Sequence, residues 1–258
     1  MKRFEKKVIV VTGASRGIGQ AIAVAFAREG AQVAGVARSN LAETASKAKD
    51  AGGKFIAVNA DLSKGTQKEA ADLIAAILKQ TGRIDILVNN AGIIRRAPAV
   101  DFPEADWNEV LGTNLSTPFF LCQVVAKWWL TGGREQSPAD ARLNIINIAS
   151  LLSFQGGILV PAYTASKHGI AGVTRALANE WAKERINVNA IAPGYIATEN
   201  TRALREDAKR NQAIVERIPE GRWGKPEDIA GMCVFLASGD ADYLNGSVIN
   251  VDGGWLGR

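Results

Sequence analysis

The chain is predicted to fold as a single α/β domain, a doubly wound parallel sheet with helices on both faces. Three observations predict this. Short β-branched runs alternate with longer helical patterns from end to end; most of the runs lack polar/apolar alternation; and no Pro/Ser-rich linker or internal repeat divides the 258 residues. Strands covered on both faces read as continuous apolar runs, and parallel neighbours need helical crossovers between them. A chain of this length buries roughly 75% of its extended surface, so a core is available without staples.

In chain order the expected strands are Lys7 to Val11, Ala31 to Val36, Lys54 to Val58, Ile84 to Asn89, Leu143 to Ala149, Ile186 to Ile191 and Ser247 to Val251. Among the helical patterns between them are Gly17 to Arg28, Gln67 to Gln80, Glu104 to Leu130 and Ala162 to Lys183. Thr131 to Arg142 is polar and reads as an exposed loop. Pro193 to Gly224 follows the sixth strand as a long substrate loop, with its own helical stretch around Asn200 to Arg217. Residues 1–150 are expected to hold a cofactor, and 151–258 the catalytic and substrate half.

Composition narrows the function classes. The net charge is +5, but bases are mixed with acids, as in Lys2-Arg3-Phe4-Glu5, and no basic stripe carries interleaved aromatics; nucleic acid is not an expected partner. No apolar run reaches membrane-spanning or signal-peptide length, so a soluble cytoplasmic protein is the default. Two distant cysteines, Cys122 and Cys233, read as buried thiols. With His168 the only histidine, no metal site is expected.

The first strand runs into Thr12-Gly13-Ala14-Ser15-Arg16-Gly17-Ile18-Gly19, where a helix begins. Glycines there permit a sharp turn and close backbone approach, and the helix start offers unpaired N–H groups to a pyrophosphate. The same residues match G-x-S-x-G, a hydrolase nucleophile elbow built on Ser15. Against that reading, it leaves Gly19 without a role, and His168 follows a lysine with another use. An NAD enzyme places an acid at the end of the second strand; Ala37 and Arg38 stand there, with Arg16 in the glycine turn. Two guanidiniums without a carboxylate favour a 2′-phosphate, so NADPH is expected, with NADH as the alternative.

Tyr163 and Lys167 lie four residues apart on one helix face. A lysine cation lowers the pKa of a nearby phenol, which makes the pair a candidate general acid/base. Ser150 ends the fifth strand at the sheet edge where such folds bind ligands, with its hydroxyl available to a substrate carbonyl.

Taken together, Thr12 to Gly19, Asn89-Asn90-Ala91-Gly92, Asn114, Ser150, Tyr163/Lys167 and Pro193-Gly194 resemble the short-chain dehydrogenase/reductases in order and spacing over essentially the whole chain. The resemblance implies a Rossmann-like fold, an Asn114–Ser150–Tyr163–Lys167 tetrad, and reversible hydride transfer between a nicotinamide and a carbonyl or secondary alcohol. It also implies cofactor contacts at Gly13, Ser15, Arg16, Gly17, Ile18, Gly19 and Arg38; at Asp61, Leu62, Asn90, Ala91 and Gly92; and at Tyr163, Lys167, Pro193, Gly194, Ile196 and Thr198. Asn114 is implied to hold a water in a proton relay, and the helices carrying Asn114 and Tyr163 to build a dimer or tetramer, with a homotetramer expected.

A closer likeness, in Asn90 to Arg96, Ile148 to Gly157, Ala178 to Lys183, Ala192 to Thr198 and Arg217 to Gly224, is to 2-deoxygluconate and 2-keto-3-deoxygluconate dehydrogenases and to reductases of unsaturated-uronate products. It implies a small keto-sugar acid as substrate, with Arg95, Arg96, Gln155 and Arg222 joining Ser150 and Tyr163 in binding it. The leading expectation is NADPH-dependent reduction of 4-deoxy-L-erythro-5-hexoseulose uronate, the alginate-derived monosaccharide, to 2-keto-3-deoxygluconate. Alternatives are an NAD-linked dehydrogenase of the gluconate type, a 3-oxoacyl-carrier-protein reductase, and a non-catalytic Rossmann binding protein.

Overall fold

In the computed structural model, which describes residues 2–258, seven parallel strands lie in the order β3-β2-β1-β4-β5-β6-β7. They are β1 (Val8–Thr12), β2 (Gln32–Ala37), β3 (Lys54–Asn59), β4 (Ile86–Asn89), β5 (Leu143–Ile148), β6 (Ile186–Pro193) and β7 (Val248–Val251). Every residue of β1, β4, β5 and β6 is buried, whereas edge strands β3 and β7 are partly exposed, as a two-sided sheet requires.

Alternate residues feed two cores. Ile9 and Val11 of β1 join Ile22 and Phe26 of α1 (Gly17–Arg28) on one face, with Ile229 and Cys233 of a late helix, Pro226–Leu236. Val10 points the other way, into Ile74 and Ile77 of α3 (Gln67–Thr81), together with Leu121 and Val125 of α5 (Thr117–Trp128) and Leu177 of α6 (Pro161–Trp181). The short helix α2 (Ala42–Asp50) follows β2, and its Ala48 joins the first core. No described helix is long and apolar enough to cross a membrane.

Inside the second layer runs a buried amide ladder. Asn89 Nδ2 donates to Asn147 Oδ1 at 2.9 Å, Asn147 Nδ2 to Thr174 Oγ1 at 3.0 Å, and Thr174 Oγ1 to the Ile170 carbonyl at 2.8 Å. The ladder fixes β4, β5 and α6 in one register.

The long helix expected over Glu104 to Leu130 is broken. It divides into α4 (Glu104–Leu111), a π-turn over Gly112–Ser116 and α5. Two residues explain the break. A Cβ at Gly112 would stand 2.7 Å from the Ser63 carbonyl, so the chain comes within backbone contact there. Pro118 has no N–H to return to the Asn114 carbonyl four residues back. A further π-turn, Trp129–Gly133, carries the chain into the loop that precedes β5. The region after β6 folds into two short helices, α7 (Arg202–Glu206) and α8 (Ala208–Arg217), and the Pro226–Leu236 helix is α9.

Candidate active site

Strand order reverses between β1 and β4, and at their carboxyl ends opens a cleft of about 1240 Å³. Gly13, Ser15, Arg16, Gly17, Ile18 and Gly19 line its floor. Gly13 has φ +67° and Gly17 φ +56°, and a Cβ on Gly13 would meet Asn90 Nδ2 at 2.8 Å. That amide donates to the carbonyls of Thr12 and Gly13, while Thr12 Oγ1 accepts from the backbone N–H groups of Asn90 and Ala91 at 3.0 Å each. The glycines thus serve the packing of Asn90 beneath the turn as well as the space above it. Helix α1 starts with no side-chain cap and no acid in its first turn, which leaves its opening N–H groups to the cleft. This cradle fits a dinucleotide pyrophosphate.

At the far end of the cradle β2 closes on Ala37, followed by Arg38 and Ser39, and all three line the cleft. Ser39 Oγ donates to Ser15 Oγ at 2.8 Å and so ties this end to the glycine turn. The expectation of guanidiniums without a carboxylate needs amendment. Arg38 Nη1 lies 3.7 Å from Asp61 Oδ1, across an exposed gap. Asp61 also accepts from the Ser63 backbone N–H, which holds its carboxyl below the usual range, with Arg38 a lesser contributor. Leu62, Asn90, Ala91, Gly92, Pro193, Gly194, Ile196 and Thr198 complete this part of the lining.

Ser150, Tyr163 and Lys167 meet at the inner end of the cleft. Ser150 follows β5 and caps the turn Leu151–Ser153, its Oγ accepting from the Leu152 N–H at 3.2 Å, so the hydroxyl proton points elsewhere. Lys167 is buried; its Nζ donates to the Ile148 carbonyl at 2.6 Å and lies 5.5 Å from the Tyr163 ring centroid. Burial brings the Lys167 ammonium down to about 8. Tyr163 behaves differently from the expectation of a phenol lowered by its lysine. Burial raises it, and the opposing pulls come from a hydrogen bond with Ser150 and from the charge of Arg96. The lysine stands over the ring face and donates its hydrogen bond to Ile148, not to the phenol oxygen.

Asn114 does not line the cleft. In the π-turn its Oδ1 accepts from the Ile93 N–H and its Nδ2 donates to the Ile93 carbonyl, both at 2.9 Å, with a third bond to Ser166 Oγ at 3.2 Å. Ser166 Oγ in turn donates to the Tyr163 carbonyl at 2.7 Å. Asn114 therefore joins the segment after β4 to the helix that carries Tyr163.

Of the four additional side chains expected at the substrate end, two arrive. Arg96 and Gln155 line the cleft. Arg95 is turned away by the acids of α4, with Nη2 2.7 Å from Glu109 and Nε 3.6 Å from Asp106. Arg222 is held by Glu220 at 2.7 Å and Asp228 at 2.9 Å, outside the cleft. Each was expected as a substrate ligand, and each is instead neutralised locally. Residues that the sequence reading passed over take part in the lining: Tyr195, Arg205, Arg210, Arg217 and Trp255. The arginines stand in the long loop after β6, so its basic content was the available signal; nothing local marked Trp255.

Comparison with known proteins agrees with this geometry. The family model described as Enoyl-(Acyl carrier protein) reductase matches residues 13–256. The chain is 53% identical over 253 residues to 2-dehydro-3-deoxy-D-gluconate 5-dehydrogenase of Bacillus subtilis (strain 168), covering 98% of this chain and 95% of that protein. It is 50% identical over 259 residues to the Escherichia coli (strain K12) protein of the same name, covering 99% and 97%. A crystal structure of a putative 2-deoxy-D-gluconate 3-dehydrogenase from Agrobacterium tumefaciens, with bound NADP, superposes with a TM-score of 0.88 at 52% identity over 98% of each chain. A glycine cradle at the switch point, a Ser–Tyr–Lys cluster beside it and likeness over the full length have one common explanation: the chain belongs to the short-chain dehydrogenase/reductase family and is an NAD(P)-dependent oxidoreductase acting on the CH–OH/C=O pair.

Proposed function

We propose that the protein interconverts a carbonyl and an alcohol on a small keto-sugar acid, with NADPH as the preferred cofactor and Tyr163 as the proton donor in the reducing direction. The observation that supports it is Arg96. Its guanidinium has no carboxylate partner among the described residues, lines the cleft, and pulls on the Tyr163 phenol. A cation uncompensated by the protein beside a proton donor suits an anionic substrate. The relatives' name locates the oxidised carbon at C5 of a 3-deoxy-2-keto acid. We take that reaction as the first reading and the terminal aldehyde of 4-deoxy-L-erythro-5-hexoseulose uronate as the second.

When bound, the cofactor supplies or accepts the hydride. The chain's own part is position and proton. Ser150, its oxygen engaged by Leu152, donates toward the substrate oxygen; Tyr163 delivers the proton to that same oxygen; Lys167 keeps a positive charge beside the ring as phenolate develops. The Asn114 side chain is committed to Ile93, so a water in the proton relay falls to its main-chain carbonyl, which Pro118 cannot engage. Arg16, Arg38 and the Ser15–Ser39 pair support a 2′-phosphate. In this reading residues 1–150 hold the cofactor, 151–258 carry the proton chemistry and substrate, and the enzyme is a cytoplasmic homotetramer joined through the helices bearing Asn114 and Tyr163. Buried free thiols at Cys122 and Cys233 suit a reducing compartment.

The test is NADPH consumption across 2,5-diketo-3-deoxygluconate, the hexoseulose uronate and a 3-oxoacyl thioester. Turnover of a sugar acid with at least tenfold higher kcat/KM than the thioester is expected. Activity confined to the thioester, or none with either sugar acid, would overturn the reading.

A further inference from the structure

Arg217 ends α8, and its guanidinium carbon lies 4.0 Å from the centre of the Trp255 ring. Trp255 is an unusually fixed shelf. It is 4% exposed, packs with Leu151 and Ile218, stands 4.7 Å from the Tyr195 ring, and donates its Nε1 proton to Gln155 Oε1 at 3.4 Å. Arg217, Trp255 and Gln155 line the same cleft as Ser150 and Tyr163.

The guanidinium on this shelf has nothing else to do. Among the described residues Arg217 has no ion pair, unlike its neighbours Arg202 and Arg222. A cation lying on an aromatic face keeps its in-plane N–H donors free along its edge. Gln155 uses its oxygen on Trp255, which leaves its amide hydrogens as donors. The cleft wall here thus offers a flat fork of donors and a second amide donor. Arg210, two helical turns earlier on the same side of α8, lines the cleft as well. A cation at a helix end also serves the dipole, but that role requires neither the shelf nor the cleft.

We infer that Arg217, laid on Trp255, anchors the substrate carboxylate bidentately while Gln155 donates to a neighbouring oxygen. Arg96 is the guanidinium that acts on the Tyr163 phenol, and Arg217 exerts no such pull. The two have separate partners: Arg96 acts on the phenol, and Arg217, on its shelf beside Gln155, is the guanidinium left for the acid. A carboxylate several carbons from the reacting carbonyl suits that division. The assignment rests on the proposed sugar-acid activity.

The experiment compares wild type, Arg217→Met and Arg217→Lys on the keto-sugar acid and on its methyl ester, with the Kd for NADPH by fluorescence as a check on the fold. For the acid, KM should rise about 10- to 100-fold in Arg217→Met, the loss of a charged hydrogen-bonded pair, while kcat changes less than threefold. Arg217→Lys should fall between, and added guanidinium should restore part of the Arg217→Met loss. The ester KM should stay within threefold in every variant, and NADPH affinity should not move. If wild type prefers the acid and Arg217→Met keeps that preference, the anchor is elsewhere and the sugar-acid reading stands. If wild type turns over ester and acid alike, both readings fall. Equal losses on acid and ester, or weakened NADPH binding, would make Arg217 a structural residue of the loop and overturn the assignment.

Discussion

The Lys167 ammonium lies over the face of the Tyr163 ring, 5.5 Å from its centroid, and donates a hydrogen bond to the Ile148 carbonyl rather than to the phenol oxygen. The two residues are therefore coupled through space and through the shared helix, not through a direct bond. Tyr163→Phe keeps the ring under the ammonium and removes only the hydroxyl. Its kcat should fall about 10²- to 10⁴-fold, the usual range for a lost general acid, with the Kd for NADPH within threefold of wild type by fluorescence titration. Turnover near normal would take Tyr163 out of the chemistry.

Lys167 gives a stability prediction with a definite sign. Its ammonium, at about 8 in the folded protein, stands near 10.5 when free, so between those values the unfolded chain binds more protons. Folding stability should therefore rise with pH from about 8 to 10.5, relative to a Lys167→Met variant that lacks the group. Below pH 8 both states are charged, and the full burial cost, on the order of 3 kcal/mol, is present. Urea melts of the two proteins at pH 7, 8.5 and 10 give the difference; a gap that stays constant or moves the other way contradicts this account.

Arg38 and Asp61 face each other at 3.7 Å with both side chains more than half exposed, a pair of little worth to the fold. A 2′-phosphate would compete readily for the arginine. Arg38→Ala should leave Tm within about 1 °C yet lower kcat/KM for NADPH by 10- to 100-fold, with NADH changed less than threefold. Equal losses with both cofactors would mean that Arg38 does not read the phosphate.

Asn114→Ala removes the partners of two backbone groups of Ile93 and one bond to Ser166. An unpaired group costs about 1–3 kcal/mol when fully buried, and the Ile93 groups are only part-buried, so a loss of roughly 1–3 kcal/mol in all is expected in chemical denaturation. Activity should fall further than stability explains, since the segment beside the cofactor loses its tie to the Tyr163 helix. Unchanged stability would show that Asn114 holds nothing.

Much of this molecule is legible in its sequence because the governing patterns are local. Hidden strands such as Ile145–Ile148 have to be apolar runs, and Gly13 and Gly17 stand where the backbone turns to positive φ. The break at Asn114 was missed because helical periodicity masks it, although Gly112 and Pro118 flank it in plain view. Arg95 and Arg96 are neighbours in type and position; only folding shows that α4 brings two acids to the first and none to the second. Trp255 and Gln155 are a hundred residues apart, and no periodicity reports such a meeting.

The amide ladder from Asn89 through Asn147 to Thr174 bears on how this enzyme tolerates change. Swapping its rungs for aliphatic residues of matching volume risks little thermal robustness, since a greasy interior is its own reward. What such a swap forfeits is alignment: the helix bearing the proton donor then keeps only the Lys167–Ile148 bond and its apolar packing to key it to the strands beneath. A library selected for heat resistance would drift toward those replacements, and its survivors would be sturdy, well-folded and slow.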